Sequence, residues 1–560
     1  MERRVKLVLF FTVTVFFLFT LKLFKIQIVD HAKYRKLSRK NYLRVIKIPA
    51  IRGDILDRNG IKIASWRPAF RISVLPGVLS RNKLKKLFLL VGLDSLAYNI
   101  DTFSLKRNYI TLKSGIDFRT ISKIEENLDE FPGVVIDAVP SRYYNQKYIS
   151  LSEILGYVQE AREDEIEKLH LDVGDVVGRR GIEAVYDSLL RGKNGKRFFV
   201  VDSRGNIIQR DPTPPIPPKK GKTIRTSIDA NLMNFIDSLF APYKKGACVV
   251  YKPKTGKVLA LYTKPYFNSN TFLREYKKLL NNQDKPLLNR AIQGAYPPGS
   301  IFKLISALIA LKTESVTENT TFSPCTGSFR YGNRTWGCWL ETGHGKLNLP
   351  HAIEQSCDVY FYQLGLAVGF KRFLNVLDSL NIPVYTGIDL PHEKRGFIPT
   401  YDWYVKRLGK YNVTEGYVLN LAIGQGEILF TPISLAVITG QIAQKGWAIK
   451  PYIVKPRKLD TLILNIDSRY FDPVLKGAYL VVNGEHGTAR SIALDSIKIA
   501  GKTGSAENPH GNKTHSLFTA FVPFDNPEYV ITVIAENAGH GGEVAAPIAG
   551  KIIRRLYHIE

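Results

Sequence analysis

The chain has 560 residues, 45% of them hydrophobic and 23% charged, with a formal net charge of +29 and four cysteines. That length holds two or three domains, and the composition excludes extensive disorder, low complexity and a disulfide-built scaffold. The surplus of lysine and arginine comes with no recognisable nucleic-acid module. What remains is a solvated basic surface with attraction to an anionic membrane or a polyanionic envelope.

Residues 5–24, VKLVLFFTVTVFFLFTLKLF, hold one apolar segment. Its uncharged core, Leu7 to Leu21, is short for a bilayer core of about 30 Å, and tilt with snorkelling of Lys6 and Lys22 makes up the length. No small-residue cleavage site follows, so the segment reads as an uncleaved signal anchor. Flanking charge does not orient it. Arg3, Arg4 and Lys6 precede it, but Lys22, Lys25, Lys33, Arg35, Lys36, Arg39 and Lys40 follow.

Residues 25–210 are mixed. Val45 to Ile51 predicts a strand. Arg52 to Gly60, RGDILDRNG, ends in Asn-Gly and predicts a hairpin that returns along Ile61 to Ser65. Phe118 to Leu128 and Leu151 to Lys168 carry helical stretches. Gly178 to Gly195, GRRGIEAVYDSLLRGKNG, predicts a helix between glycine-bounded turns. Phe198 to Asp202 and Asn206 to Gln209 predict a hairpin about Arg204-Gly205. This region shows no nucleophile–base pair and no metal cluster, which predicts a structural or interaction role. Ser80 and Lys83 have the spacing of a nucleophile and base, but on a polar stretch. DPTPPIPPKKGK, residues 211–222, predicts a semi-rigid linker at a domain boundary.

A new unit starts at Thr223. Asp229 precedes a helix to Leu239, and Ala247 to Tyr251 pairs with Val258 to Tyr262 around Pro253 to Gly256. The central stretch is YPPGSIFKLISALIAL, Tyr296 to Leu311. Pro297, Pro298 and Gly299 block helix before Ser300, and an apolar run follows. On a helix, Ser300 and Lys303 share a face, with Cβ atoms roughly 5–6 Å apart. A serine hydroxyl needs an adjacent base at neutral pH, and an amine among Ile301, Leu304, Ile305, Leu308 and Ile309 is desolvated toward that role. A second cluster is Ser356-Cys357-Asp358, with Ser356 placed for proton relay and Asp358 for a hydrogen bond to substrate or lysine. A third is Lys502-Thr503-Gly504-Ser505, between strand-like Ser496 to Ala500 and Leu517 to Val522. Gly504 lets a substrate backbone approach that strand, and Lys502 adds positive charge beside Lys303 and attracts a carboxylate. Lys254-Thr255-Gly256 repeats the tripeptide at a hairpin turn and reads as turn chemistry.

Cys325, Cys338, His344 and Cys357 lie within a 33-residue stretch. Three thiolates and an imidazole suit a tetrahedral structural zinc that pins the loop carrying Ser356 and Asp358. A Cys325–Cys338 disulfide or unpaired buried thiols are the other readings. Cys248, in a strand, stands outside the cluster. His510 and His515 read as polar residues at a strand end.

The ordered set Ser300-x-x-Lys303, Ser356-x-Asp358 and Lys502-Thr503-Gly504 resembles the penicillin-binding and serine β-lactamase superfamily. YPPGSIFK, Gly424 to Gly426 with Thr431-Pro432, RGDILDRNG and GRRGIEAVYDSLLRG extend the resemblance to the class B penicillin-binding proteins over nearly the whole chain. It implies an α+β protein. Residues 1–24 are a cytoplasmic tip and membrane anchor, 25–210 an extended dimerisation or pedestal domain, and 211–222 a linker. Residues 223–560 are a transpeptidase domain, an antiparallel sheet flanked by helices. The implied activity is a serine-type D,D-transpeptidase crosslinking peptidoglycan stem peptides. Ser300 attacks the D-Ala–D-Ala carbonyl, Lys303 takes its proton, and Ser356 relays a proton to the departing D-alanine. Lys502, Thr503 and Ser505 hold the terminal carboxylate, with Asp358 and Gly504 also in the substrate site. The backbone N–H groups of Ser300 and Ser505 form the oxyanion hole. No cofactor is required for that chemistry.

The family's second motif usually ends in asparagine; here it is Asp358. The elongation-specific group, the penicillin-binding protein 2 kind, resembles the chain there and in SCDVYFY. A monofunctional enzyme follows, partnered by a membrane glycan polymerase of the SEDS kind and by elongation-complex proteins, with β-lactams as inhibitors and no nucleic acid. The body faces the periplasmic side of the inner membrane. The alternatives are a division-specific transpeptidase, a β-lactamase and a β-lactam-sensing receptor.

Overall fold

The computed structural model describes residues 2–35, 43–74, 78–93, 110–116, 118–172, 174–201, 207–507 and 513–559. The predicted turn at Arg204-Gly205 and His510 lie outside them. The chain forms two compact units, one of Met1–Gly53, Trp66–Arg142 and Arg191–Lys222, the other of Asp54–Ser65, Tyr143–Leu190 and Thr223–Glu560. Two segments that the sequence assigns to the pedestal, 54–65 and 143–190, therefore pack with the C-terminal unit.

In the first unit, Glu2–Phe24 is a helix that continues through Lys25–Val29, long and apolar enough to cross a membrane. Leu43–Ile48 pairs antiparallel with Gly195–Val201, which pairs with Ile207–Arg210. The first strand starts earlier than Val45–Ile51, as Leu43 and Arg44 pair with Val200 and Phe199, and stops earlier because Pro49 has no N–H to give a ladder. Helices Arg81–Val91 and Phe118–Glu125 share a second core with Ile72 and Val74 of a long strand. Ser80 is only the residue that starts the first of these helices. The proline-rich segment 211–222 is not a free spacer. Ile216, between prolines, and Lys219, just after Pro218, keep their N–H groups and exchange backbone hydrogen bonds of 2.8–2.9 Å with Lys196 and Lys193.

The second unit is organised on a five-stranded antiparallel sheet. Along the chain its elements are α1 (Ala230–Leu239), β1 (Gly246–Tyr251), β2 (Val258–Lys264), α2 (Lys303–Lys312), α3 (Leu349–Glu354), α4 (Asp358–Val368), α5 (Pro432–Ala443), α6 (Phe471–Asn483), β3 (Ala500–Ala506), β4 (His515–Val522), β5 (Tyr529–Ala535) and α7 (Ala545–Leu556). The strand order is β2-β1-β5-β4-β3, so β3 is an edge. Helices cover both faces. Thr519 of β4 hydrogen-bonds Thr439 of α5 at 2.9 Å, while Ser516, of opposite parity, accepts from the Ala545 N–H at the start of α7. Asp229 caps α1 by accepting from the Leu232 N–H, as its position before the helix predicts. Lys502-Thr503-Gly504 lies on β3 itself, and residues 496–499 are irregular rather than the strand predicted there.

The RGDILDRNG hairpin forms, with Ile55 opposite Ala64 and Leu56 opposite Lys62. Its hub is Asp57, fully buried, whose Oδ1 accepts from the Asn59 and Ile61 N–H groups at 2.8 Å and whose Oδ2 accepts from the Ala230 N–H at 3.3 Å. Asp57→Ala strands those donors and is expected to cost about 1–3 kcal/mol. The melting temperature of the detergent-solubilised protein should fall for Asp57→Ala and fall less for Asp57→Asn, which keeps one acceptor. No fall in either would refute this role.

Candidate active site

Ser300 sits in a tight turn, Gly299–Phe302, that runs directly into α2. Every residue of α2 from Lys303 to Leu311 is buried, as the all-round apolar pattern predicts. The turn is pressed onto β3. Gly299 has φ +51°, and a Cβ there would stand 2.8 Å from the Ser505 carbonyl oxygen. A Cβ on Gly504 would stand 3.1 Å from both the Pro298 oxygen and Ile301 Cγ1. The space that Gly504 leaves is therefore filled by the protein's own nucleophile turn, not kept for a substrate backbone. The Gly299 N–H donates to the Gly424 carbonyl at 3.0 Å, and Gln425 Nε2 donates to the Ser505 carbonyl at 3.3 Å. The Gly424–Gly426 segment is thus tied to both halves of the site. Ser300 itself is half-buried.

Lys303 has no solvent exposure. Its Nζ donates to the Ser356 carbonyl at 2.7 Å, to Ser356 Oγ at 3.2 Å and to Asp358 Oδ1 at 2.7 Å, and it lies 5.6 Å from the centre of the Phe361 ring. Ser356 reaches the amine with two atoms because its backbone is left-handed, φ +54°, a strained state for a serine. It occupies the corner between α3 and α4. Asp358 opens α4, where the helix dipole favours a carboxylate. Its Oδ2 accepts from the Trp339 N–H at 3.2 Å.

Lys502 is also fully buried, with Nζ 3.3 Å from the Thr503 carbonyl. Burial, and then the charge of Lys303, hold its pKa well below the ordinary lysine value, against the opposing pull of Asp358. Thr503 Oγ1 lies 2.8 Å from Thr488 Oγ1. The structure thus gathers Ser300, Lys303, Ser356, Asp358 and the Lys502–Ser505 strand at one place.

Cys325 Sγ, Cys338 Sγ, His344 Nδ1 and Cys357 Sγ all lie within 4.8 Å of one another. His344 Nδ1 is 3.6 Å from the Cys325 sulfur and 3.5 Å from the Cys338 sulfur. All four cysteines are free, so Cys325 and Cys338 are not bridged. Hydrogen bonds to Cys357 and then His344 lower the Cys338 pKa despite partial burial. Cys248 is remote in β1, where burial pushes its thiol far up. His515 opens β4, with its ring edge-on to Tyr296 at 5.7 Å. Lys254-Thr255-Gly256 sits in the β1–β2 turn.

Three partners of the site carry no motif. Thr488 is recognisable only once its hydroxyl meets Thr503. Trp339 shows in sequence as an aromatic beside Cys338, and nothing there reveals that its N–H serves Asp358. Glu354, buried at the end of α3, accepts from the His486 N–H at 3.1 Å and lies 2.7 Å from His351 Nδ1. It joins the helix before Ser356 to the segment before Thr488.

A turn bearing Ser300 and Lys303, clamped to the edge strand of an antiparallel sheet with helices on both faces, is the architecture of a penicillin-binding transpeptidase domain, and residues 246–554 match the family model described in those words. Residues 47–226 match the penicillin-binding protein dimerisation domain, and the chain belongs to the penicillin-binding protein family. It is similar to peptidoglycan D,D-transpeptidase MrdA of Escherichia coli, with 30% identity covering 95% of this chain and 90% of that protein. Among solved structures it is similar to the penicillin-binding protein PBP2 in complex with MreC from Helicobacter pylori. The TM-score is 0.79 and the identity 28%, over 92% of this chain and 99% of that one. A chain from a structure titled as a peptidoglycan synthase complex that coordinates polymerization and crosslinking gives a TM-score of 0.72 and 28% identity, over 100% of this chain and 99% of that one.

The buried Lys502 generates a pH prediction. The folded state disfavours its proton, whereas the unfolded chain binds one up to about pH 10.4. Its unfavourable contribution is thus full below the depressed pKa and fades as pH rises toward 10.4. Lys502→Met should raise the melting temperature at neutral pH, with a gain that shrinks toward pH 10. An equal gain at both pH values would contradict the assignment.

Proposed function

We propose that this chain is the peptidoglycan D,D-transpeptidase of cell-wall elongation, crosslinking stem peptides through an acyl-enzyme on Ser300. The observation that carries the reading is the buried Lys303 amine within 3.2 Å of Ser356 Oγ and 2.7 Å of Asp358, one helical turn from Ser300. Ser300 Oγ attacks the carbonyl of the penultimate D-alanine, and Lys303 takes the hydroxyl proton. The Asp358 carboxylate stabilises the resulting ammonium through a charge-assisted hydrogen bond. The Ser300 and Ser505 N–H groups, brought together by the contact of Gly299 with β3, receive the oxyanion. Donors of this kind are worth about 2.7–4 kcal/mol each. Ser356, in contact with Lys303, passes the proton to the leaving D-alanine nitrogen. The amine of a second stem peptide then attacks the ester and regenerates Ser300. Lys502, Thr503 and Ser505 hold the terminal carboxylate of the donor, Lys502 by its charge and the hydroxyls by hydrogen bonds.

The Glu2–Val29 helix, the one membrane-length apolar helix among the described residues, is the membrane anchor, with the catalytic unit on the periplasmic side, where stem peptides are. A membrane glycan polymerase and elongation-complex proteins are its partners. This draws support from the likeness to a chain of a peptidoglycan synthase complex and to a PBP2 bound to MreC. The elongation role, rather than division, draws support from the MrdA relative and from Asp358.

Cys325, Cys338, His344 and Cys357 hold a structural zinc. Their four donor atoms, within 4.8 Å of one another, fit tetrahedral Zn–S and Zn–N bonds of about 2.3 and 2.0 Å. The ion takes no part in acyl transfer. It ties Cys338, and with it Trp339, to Cys357 between Ser356 and Asp358.

Two measurements test these assignments. Intact mass after incubation with a β-lactam should show a long-lived adduct on wild type and none on Ser300→Ala. An adduct lost within seconds would identify a hydrolase, and none on folded wild type would remove the acyl-transfer reading. Metal analysis of purified protein should find about one zinc per chain and much less in Cys338→Ser. Zinc-free protein with a Cys325–Cys338 crosslink by mass would overturn the metal site.

A further inference from the structure

Thr503 and Ser505 alternate with Lys502 and Gly504 along β3, so their hydroxyls leave the opposite face of the strand from the Lys502 amine. That amine is fully buried against the Thr503 carbonyl. The loop from β5 to α7 borders the face that presents the two hydroxyls. The Gly541 N–H donates to Ser505 Oγ at 3.4 Å. A Cβ on Gly541 would stand 2.5 Å from the Gly504 oxygen and 2.3 Å from the Leu517 oxygen, so the loop backbone lies directly on β3 and β4. The residue before it, His540, is anchored through its carbonyl. That oxygen accepts from Ser516 Oγ at 2.9 Å, the Glu543 N–H at 3.2 Å and the Val544 N–H at 3.3 Å. Ser516 is the ladder partner of Ser505. With its backbone so fixed, His540 holds an exposed imidazole with Nδ1 3.5 Å from Ser505 Oγ.

We propose that His540 is a further substrate-binding residue, whose imidazole N–H donates to the terminal carboxylate of the donor stem peptide beside Thr503 and Ser505. The inference rests on the carboxylate role given above to Lys502, Thr503 and Ser505. A carboxylate offers about four lone-pair sites. The Thr503 and Ser505 hydroxyls supply at most one proton each, and the Thr503 hydroxyl is shared with Thr488. Lys502 acts on the anion from the other side of the strand. His540 brings a donor to the face where the anion lies, and an imidazole donates an N–H in either charge state. Its position beside Ser505 makes it a determinant of selectivity for a free terminal acid over an amide.

The test compares two thioesters of the same N-acyl-D-alanine on the detergent-solubilised full chain. One has thioglycolate as leaving group and so carries the carboxylate; the other has thioglycolamide. Acylation breaks the C–S bond, forms the Ser300 ester and passes the serine proton to the departing thiol, which a chromogenic disulfide reports. His540→Ala should lower kcat/KM for the thioglycolate ester by roughly tenfold or more and leave the amide ester unchanged. His540→Gln, which keeps an N–H donor, should recover most of the loss. An unchanged rate for His540→Ala on the carboxylate substrate would overturn the proposal. Equal losses on both esters, or no recovery in His540→Gln, would instead assign His540 a structural role. Wild type that gives no Ser300-dependent thiol release and no β-lactam adduct would overturn the carboxylate reading as a whole. Normal wild-type turnover with indifferent His540 variants would overturn the His540 assignment alone.

Discussion

The site depends on one polar contact, the fully buried Lys303 amine against the Asp358 carboxylate. Nζ and Oδ1 are 2.7 Å apart, and the lysine has no exposure. Burying an amine is unfavourable unless hydrogen bonds satisfy it, and the ammonium it becomes on taking a proton costs several kcal/mol unless charge compensates it as well. Here three acceptors converge on one nitrogen. The apolar body of α2 excludes solvent. The left-handed bend at Ser356 turns both its oxygens inward, and the start of α4 places the carboxylate. Removing any of these leaves the amine under-satisfied, so the nucleophile turn and the second motif are held together by the same requirement.

A second constraint is the closeness of backbones around Ser300. Gly299, Gly504 and Gly424 meet where a nucleophile turn, an edge strand and a loop approach within the radius of a methyl group. This contact joins the helical part of the unit to the sheet. It sets Ser300 against Ser505 without any side-chain bridge. The polar ties at the margin, Gln425 to the Ser505 carbonyl and Thr488 to Thr503, hold the strand through its backbone and through a side chain.

What the sequence revealed follows from how local each determinant is. Ser300 and Lys303 were legible because a Pro-Pro-Gly stop and an apolar run define a helix start within a few residues. Asn59-Gly60 announced a turn for the same reason, as Asp229 did its cap. Boundaries were missed where long-range pairing decides. The strand carrying Lys502 begins at Ala500, not Ser496, because β4 offers partners only from Phe521 back to His515. The proline-rich segment looked like a spacer, yet Ile216 and Lys219, which keep their N–H groups, find carbonyls at Lys196 and Lys193. Segments 54–65 and 143–190 join the C-terminal unit through contacts with no local signature. Ile224 and Arg225, for example, pair in parallel with Ile55 and Leu56. Thr488, Glu354 and Trp339 were invisible as site residues for the same reason: each acts on a residue distant from it in sequence.

The aspartate at 358, where an asparagine is usual in this superfamily, has a physical reason in its two neighbours. One is the Lys303 Nζ and the other the Trp339 N–H, and both are donors. An ionised carboxylate is acceptor-only and can serve the two at once, one oxygen to each. A primary amide has a single oxygen and would turn its NH2 toward one of the two, giving up that hydrogen bond. Asparagine fits only if the amine offers its lone pair or the Trp339 loop moves away. Cys338, beside Trp339, sits in the cluster with Cys325, His344 and Cys357, the last of which adjoins Asp358. The sulfur–imidazole cluster, the N–H of Trp339 and the choice of acid over amide are therefore parts of one arrangement, which holds the carboxylate where the lysine needs it.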